Sequence, residues 1–330
     1  MHVLVTGATG FVGRHLVAAL LRRGDRVRAL GRNEAACRGL EQSGGEVVRS
    51  DLRDRGAVVG ACAGVDAVCH AGALSAPWGR AADFHAVNVG GTENAIAGCR
   101  AHGVGRLVYV SSPSVVFDGR DHRDLTDDAP YPRRLMSVYS LTKKIGEDRV
   151  RAAAAEGLAT VTIRPKAVFG PGDTSLLPRL VRVARGGRLP QVGDGRNLVD
   201  LTYVDNVVHA LLLALEARAA VGRTYTVTNG EHVPLWDLIK TVLRRLGIDA
   251  KLRPLPYRVV YAAAALMELR AALTGGEPLL TRYTAALLAR TQTYNIDAAR
   301  HDLGYVPPVS VAEGVERTLT GIERVPSHTA

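Results

Sequence analysis

A short apolar run ending in evenly spaced glycines constrains this chain more than any other feature. His2-Val3-Leu4-Val5-Thr6 reads as a buried parallel strand, and Gly7, Gly10 and Gly13 follow it in a G-x-x-G-x-x-G spacing. From Phe11 to Arg23 the periodicity turns helical, with Phe11, Val12, Leu16, Ala19 and Leu20 on one side. A tight glycine turn between strand and helix brings backbone N–H groups to the helix N-terminus, where a pyrophosphate is favoured. The spacing differs from the more common G-x-G-x-x-G of dinucleotide folds.

The same alternation continues down the chain. Strands are expected near 2–6, 26–30, 46–49, 66–70, 106–111 and 160–164, with helices between them, including 81–102 and 138–156. That order predicts an α/β fold built on a doubly wound parallel sheet. Beyond Gly170 the repeat breaks and Pro and Gly become denser. Residues 1–170 are therefore expected to form a dinucleotide-binding domain, with 198–217 returning to its main sheet. Residues 171–197 and 218–330 are expected to form a smaller, mostly helical substrate-binding domain. With 330 residues, 47% of them hydrophobic, the chain can bury a sizeable core.

Tyr139 and Lys143 stand in a Y-x-x-x-K spacing on the predicted 138–156 helix, one turn apart on the same face. A cation beside a phenol favours the phenolate. At about 4 Å and an effective dielectric near 20 the attraction is roughly 4 kcal/mol. That predicts a tyrosine pKa lowered by about three units, giving an acid/base for neutral pH.

Charge and cysteine content exclude several classes. The chain carries 42 basic and 32 acidic residues, a net charge of +10, and only five of the basic residues are lysine. The arginines are scattered in runs no longer than two, so no nucleic-acid stripe is expected. Cys37, Cys62, Cys69 and Cys99 lack metal-ligand spacing and read as small buried thiols of a reducing compartment, so no metal site is expected. The chain opens directly on a strand, which predicts no signal peptide and a cytoplasmic protein. Val259 to Leu269, bounded by Arg258 and Arg270, is too short to span a bilayer; it is expected either to lie on a membrane or to cover an apolar ligand. Residues between Leu255 and Ala289, among them Val259, Leu266, Leu273 and Leu279, are expected to enclose a small hydrophobic substrate.

Further stretches carry a family resemblance. They are Asp51-Leu52, His70 to Ala73, Asn88 to Asn94, Ser111-Ser112-Pro113-Ser114-Val115, Arg164-Pro165, Phe169 to Asp173, Asn197 to Asn206 and Asp302 to Pro307. With the glycine loop and Tyr139/Lys143, they make the chain resemble an extended short-chain dehydrogenase/reductase of the NAD-dependent epimerase/dehydratase superfamily. Within it, the chain is most similar to the 3β-hydroxysteroid dehydrogenase-like branch, which includes bacterial 2-alkyl-3-oxoalkanoate reductases of olefin and β-lactone biosynthesis. The resemblance implies a Rossmann-type sheet and a homodimer. It implies a cofactor held by Gly7, Thr9, Gly10, Phe11, Val12 and Gly13, with His70, Ala71 and Gly72 alongside. Asp51 would meet the adenine amino group and Leu52 the ring, while Pro165 and Val168 would approach the nicotinamide carboxamide. Ser112, with Ser114 as the alternative, would hydrogen-bond the reacting oxygen. Tyr139 would transfer the proton and Lys143 would bind the nicotinamide ribose. Asn88 would support the lysine or a water chain.

Cofactor and substrate follow from departures within that pattern. The acid that holds the adenosine ribose in NAD-preferring relatives falls on Gly31, and Arg32 follows it. NADP(H) is therefore favoured over NAD(H). Nucleotide-sugar epimerases and dehydratases are the enzymatic rival. Against them, Ser112-Pro113-Ser114 offers no carboxylate where dehydratases carry Thr-Asp-Glu, and Val199 stands where their pyrophosphate-clamping arginine would be. A cofactor-sensing scaffold would be expected to lose the tyrosine or the lysine, and both are kept. The expected function is a ketoreductase for a 2-alkyl-3-oxoalkanoate, with a 3β-hydroxysteroid-type dehydrogenase as the alternative. Trp78 is a candidate to close the pocket, and Lys166 to neutralise the substrate carboxylate.

Overall fold

The computed structural model describes residues 1–173 and 176–323. Seven parallel strands form the main sheet: β1 (His2–Thr6), β2 (Arg26–Gly31), β3 (Glu46–Arg49), β4 (Ala67–His70), β5 (Arg106–Val110), β6 (Thr160–Pro165) and β7 (Thr224–Val227). Their order is β7-β6-β5-β4-β1-β2-β3, so the chain reverses direction across the sheet between β4 and β1. Strands β1, β4 and β6 are buried along their whole length, as a sheet covered on both faces requires. Helices α1 (Phe11–Arg22) and α6 (Val204–Glu216) build one hydrophobic core against the sheet. Helices α3 (Arg55–Ala61), α4 (Gly91–Ala101) and α5 (Val138–Ala155) build the other; α2 (Glu34–Gln42) flanks the edge near β3.

Three expectations need correction. The strand ahead of α6, Thr202–Tyr203, pairs with Val168–Phe169 in a sheet of its own instead of joining the main sheet. The seventh main-sheet strand is β7, which pairs with β6 and comes from the stretch assigned above to the substrate domain. The helix expected over 81–102 is also not uniform. Ala81–Phe84 is α-helical, His85–Gly90 is a π-helical turn, and α4 follows. Such π turns recur at functional sites, and this one carries Asn88.

The C-terminal region is mostly helical, including α7 (Tyr257–Thr274) and α8 (Arg282–Ala289). Trp236, Ile239, Leu243, Val260, Ala264 and Ala285 form its own core. Short strands fasten it to the main body: Gln292–Tyr294 pairs with His122–Leu125 and, at Gln292, with Val199. No helix among the described residues is long and apolar enough to cross a membrane.

Candidate active site

In open α/β sheets, ligands settle outside the carboxyl ends of the strands where the order reverses. Here that point lies between β1 and β4. Gly7 sits there with φ of +68°, and a Cβ on it would overlap the Gly72 backbone just after β4, so only glycine allows the two loops to meet. Gly10 caps α1 without a side-chain hydrogen bond, and the first turn carries no acid. The N-terminal N–H groups therefore face a cleft lined by Gly7, Thr9, Gly10, Gly31, Asp51 and Gly72. A glycine cradle, a bare helix N-terminus and adjacent arginines fit the adenosine and pyrophosphate of a dinucleotide.

The far end of this cleft is a charge cluster. Arg53 grips Asp51 through its backbone N–H and its guanidinium, and Arg32 Nη1 donates to Asp51 at 2.9 Å. These bonds, those from Arg53 foremost, hold the Asp51 carboxyl well below its usual pKa. Asp51 does not cap α3; Asp54 does, by accepting from the Ala57 N–H. Leu52 packs where a Cβ on Gly72 or Gly91 would be. His70 corrects an expectation: its ring is buried under the sheet between the Thr6 and Thr92 hydroxyls, at 2.6 and 3.1 Å, and does not line the cleft. Burial pushes its pKa down to about 3, which keeps it neutral.

Tyr139 stands one residue into α5, whose N-cap Ser137 accepts from the Ser140 N–H. The phenol is half-buried, with the side chains of Ser112 and Ser75 beside its hydroxyl. Burial raises its pKa above the ordinary value and the two serines only partly oppose this. The lowering expected from Lys143 is therefore not realised. Lys143 Nζ donates to the Val110 carbonyl at 2.6 Å and lies 4.1 Å from the Tyr109 ring centroid, so its charge is directed at the end of β5. Burial depresses the lysine to about 7, opposed by Glu147 one turn further along α5. Glu147 itself is gripped by Arg164 through two bonds of 2.8 and 2.7 Å.

Asn88 makes its side-chain hydrogen bonds away from Lys143. Its side chain accepts from the Leu74 N–H at 2.7 Å and donates to the Leu74 carbonyl and the Thr142 hydroxyl. It thus fastens the loop after β4 to α5 rather than propping Lys143. That fastening brings Ser75, the residue after Leu74, to Tyr139. Trp78 lies half-buried in the same loop.

Past β6 the chain turns sharply at Ala167, a non-glycine residue with φ of +43° and so a strained one. Lys166, just before it, does not point to solvent. Its Nζ donates to Gln292 Oε1 at 2.6 Å and lies 5.5 Å from the Tyr294 ring centroid. Burial lowers its pKa to about 8, with Asp200 opposing. Around it, Gln292 Nε2 and the Tyr294 hydroxyl are buried without hydrogen-bond partners among the described residues, and so is Ser114 Oγ in the loop after β5. Tyr294 packs on Val115 and Val116, which ties this polar pocket to the loop that carries Ser112. Pro165 ends β6 and Val168 pairs with Thr202, so both flank the Lys166 turn.

Sequence reasoning missed Ser75, Glu147, Gln292 and Tyr294. Glu147 had a signal, since it continues the Tyr139/Lys143 face at the next turn. The others reach the site through tertiary contacts that carry no local pattern. The apolar residues expected to enclose substrate also divide differently: Val260, Leu280 and Leu288 pack the C-terminal core, whereas Val259, Leu266, Leu273 and Leu279 face outward.

Comparison with known proteins agrees with this geometry. The 3-beta hydroxysteroid dehydrogenase/isomerase family matches residues 4–257. A 2-alkyl-3-oxoalkanoate reductase of Stenotrophomonas maltophilia is 43% identical over 96% of this chain and 98% of its own length. The mouse sterol-4-alpha-carboxylate 3-dehydrogenase, decarboxylating, is 34% identical over 96% of this chain and 89% of its own. Among solved structures, gox2253 superposes with a TM-score of 0.81 at 27% identity, covering 97% of each chain. The dTDP-glucose 4,6-dehydratase DesIV of Streptomyces venezuelae, solved with NAD, gives 0.78 at 25% identity over 98% of each chain. The chain belongs to the 3-beta hydroxysteroid dehydrogenase/isomerase family of extended short-chain dehydrogenases/reductases, and is an NAD(P)-dependent ketoreductase.

Proposed function

We propose that the protein is an NADP(H)-dependent reductase of 2-alkyl-3-oxoalkanoates. The observation that carries the reading is the Tyr139 phenol set beside the Ser112 and Ser75 side chains, with its pKa raised above the ordinary value. A phenol held protonated at neutral pH is poised to donate. Its O–H gives the proton to the ketone oxygen while Ser112 donates a hydrogen bond to the same oxygen. Bound NADPH supplies the hydride that the carbonyl carbon accepts, and the product is the 3-hydroxy acid. Asn88 keeps Ser75 in place and thereby orients the phenol. Arg32, whose guanidinium fork is engaged by Asp51 at Nη1, turns its remaining donors to the 2′-phosphate.

The acid specificity rests on Lys166. The relatives' names, 2-alkyl-3-oxoalkanoate and sterol-4-alpha-carboxylate, both put a carboxylate on the carbon next to the one that reacts. A substrate of that kind needs a cation close to the carbonyl, within a largely apolar enclosure. Lys166, with the unpartnered donors of Gln292 and Tyr294 beside it, supplies one. The test is NADPH oxidation with 2-alkyl-3-oxo acids of graded length and their methyl esters. Lys166→Met raises KM for the acids by about tenfold or more, the worth of one hydrogen bond to a charged group, and leaves the esters unchanged. Equal responses of acid and ester assign the substrate to neutral ketones such as 3-oxosteroids.

A further inference from the structure

The Lys143 ammonium is a buried charge with an incomplete set of partners. It carries three N–H donors, and its one hydrogen bond among the described residues goes to the Val110 carbonyl. The carboxylate that could answer it, Glu147 one turn further along α5, is already engaged. Arg164 holds its two oxygens at 2.8 and 2.7 Å, and the Tyr131 hydroxyl donates to Oε2 at 2.5 Å. A buried ammonium without a countercharge is strongly disfavoured unless something else stabilises it.

What faces it instead is the ring of Tyr109, a fully buried residue of β5. Nζ stands 4.1 Å from the ring centroid, inside the roughly 6 Å over which a ring attracts a cation. With water excluded, that attraction is at its strongest. His70 stacks on the same ring, its centroid 5.8 Å away, and stays neutral between the Thr6 and Thr92 hydroxyls, so it adds no like charge.

Two further observations single out the ring. The Tyr109 hydroxyl is buried without a hydrogen-bond partner among the described residues, so no polar contact of its own explains where the side chain sits. Helix α5 carries a glycine, Gly146, in its interior, where glycine is unfavourable. A Cβ there would lie 2.2 Å from the Tyr109 hydroxyl oxygen and 3.0 Å from the ring carbon that bears it. Gly146 stands three residues past Lys143 and so on the same side of the helix. Only glycine lets α5 close on the ring that Lys143 covers. We propose that Tyr109 is a positioning residue for Lys143: its ring holds the ammonium at the end of β5 for the cofactor ribose, and Gly146 is the gap in α5 that admits the ring. The inference rests on the reading of Lys143 as the ribose ligand.

The test is a double-mutant cycle of Tyr109→Leu and Lys143→Met, read by the Kd of whichever of NADPH and NADH binds more tightly, with thermal melts of every protein. Dihydronicotinamide fluorescence reports binding without turnover. Tyr109→Leu is expected to weaken the cofactor by about 10- to 30-fold, the worth of a desolvated cation–ring contact. In the Lys143→Met background the same substitution changes Kd by less than about threefold, because the cation that the ring serves is gone. Tyr109→Phe keeps the ring and binds within about threefold of wild type. Gly146→Ala pushes the ring aside without hollowing the core and weakens the cofactor by about fivefold or more; adding Tyr109→Phe removes the nearer clash and restores most of the loss. That pair decides the matter if Tyr109→Leu melts below the assay temperature. The proposal is overturned by wild-type affinity in Tyr109→Leu or Gly146→Ala, or by a Tyr109→Phe as weak as Tyr109→Leu. Equal losses in both lysine backgrounds also overturn it and reduce Tyr109 to core packing. A Lys143→Met that binds cofactor like wild type is a different failure: it removes the ribose reading of Lys143, and this inference with it.

Discussion

Cofactor preference can be tested at a pair of residues that the structure couples. An aspartate at Gly31 would repel a 2′-phosphate and accept from free ribose hydroxyls, which should turn the enzyme towards NAD(H). Yet a Cβ on Gly31 would lie 2.5 Å from Thr9 Cγ2 and 2.7 Å from Thr9 Oγ1. Both branches of a β-branched side chain are in the way, so rotating Thr9 exchanges one clash for the other. Overpacking of this kind costs about 1–3 kcal/mol, and it falls on the glycine loop itself. Gly31→Asp alone is therefore expected to weaken both cofactors. Thr9→Gly/Gly31→Asp removes the obstruction and swings the ratio of kcat/KM towards NADH. A coupling of about 1–3 kcal/mol appears as a five- to 150-fold synergy in kcat/KM for NADH across the double-mutant cycle. Steady-state kinetics with both cofactors, with thermal melts of all four proteins, supply the data. A single Gly31→Asp that uses NADH well and melts like wild type refutes the steric coupling.

Two other perturbations follow from the buried charges. Lys143→Met is expected to stabilise the cofactor-free protein by about 1–3 kcal/mol at or below neutral pH while it abolishes activity. With its pKa lowered to about 7 in the fold, Lys143 binds fewer protons there than in the unfolded chain between about pH 7 and 10.4. Wild-type stability therefore gains with rising pH across that window, the full burial penalty persists below it, and the variant's advantage shrinks as pH rises. Thermal melts at either end measure this, and an advantage that does not depend on pH contradicts it. Because burial raises the Tyr139 phenol, ketone reduction should be flat through neutral pH, and alcohol oxidation should climb about tenfold per unit towards alkaline pH. An oxidation optimum near neutrality would mean that the phenol is lowered after all.

The parts legible in the sequence are those governed by local rules. Apolar runs such as His2–Thr6 and Thr160–Pro165 announce buried strands, and the glycines after β1 announce a close backbone approach. Strand β7, Thr224–Val227, is four residues long, and only its pairing with β6 makes it part of the main sheet. The Tyr139/Lys143 spacing shows a shared face but not where a flexible ammonium goes; the Val110 carbonyl and Tyr109 ring decide that. Lys166 reads as a charge beside a strand end, and its partner Gln292 comes from 126 residues away. Nothing in the pattern of Val259 to Leu273 separates a helix that lines a pocket from one whose apolar side faces out. Only the packing of Val260, Ala264 and Ala271 does so.

Single-turnover ketone reduction by Tyr139→Phe, with NADPH affinity measured alongside, tests the central assignment most directly. The substitution removes the hydroxyl and leaves the ring, so it takes away the proton donor that sits beside Ser112 and Ser75. The expected result is a fall of about 10²–10⁴-fold in the rate of hydride transfer, with the Kd for NADPH within about threefold of wild type. Reduction that proceeds within tenfold of the wild-type rate contradicts the account and moves the proton donor elsewhere in the site.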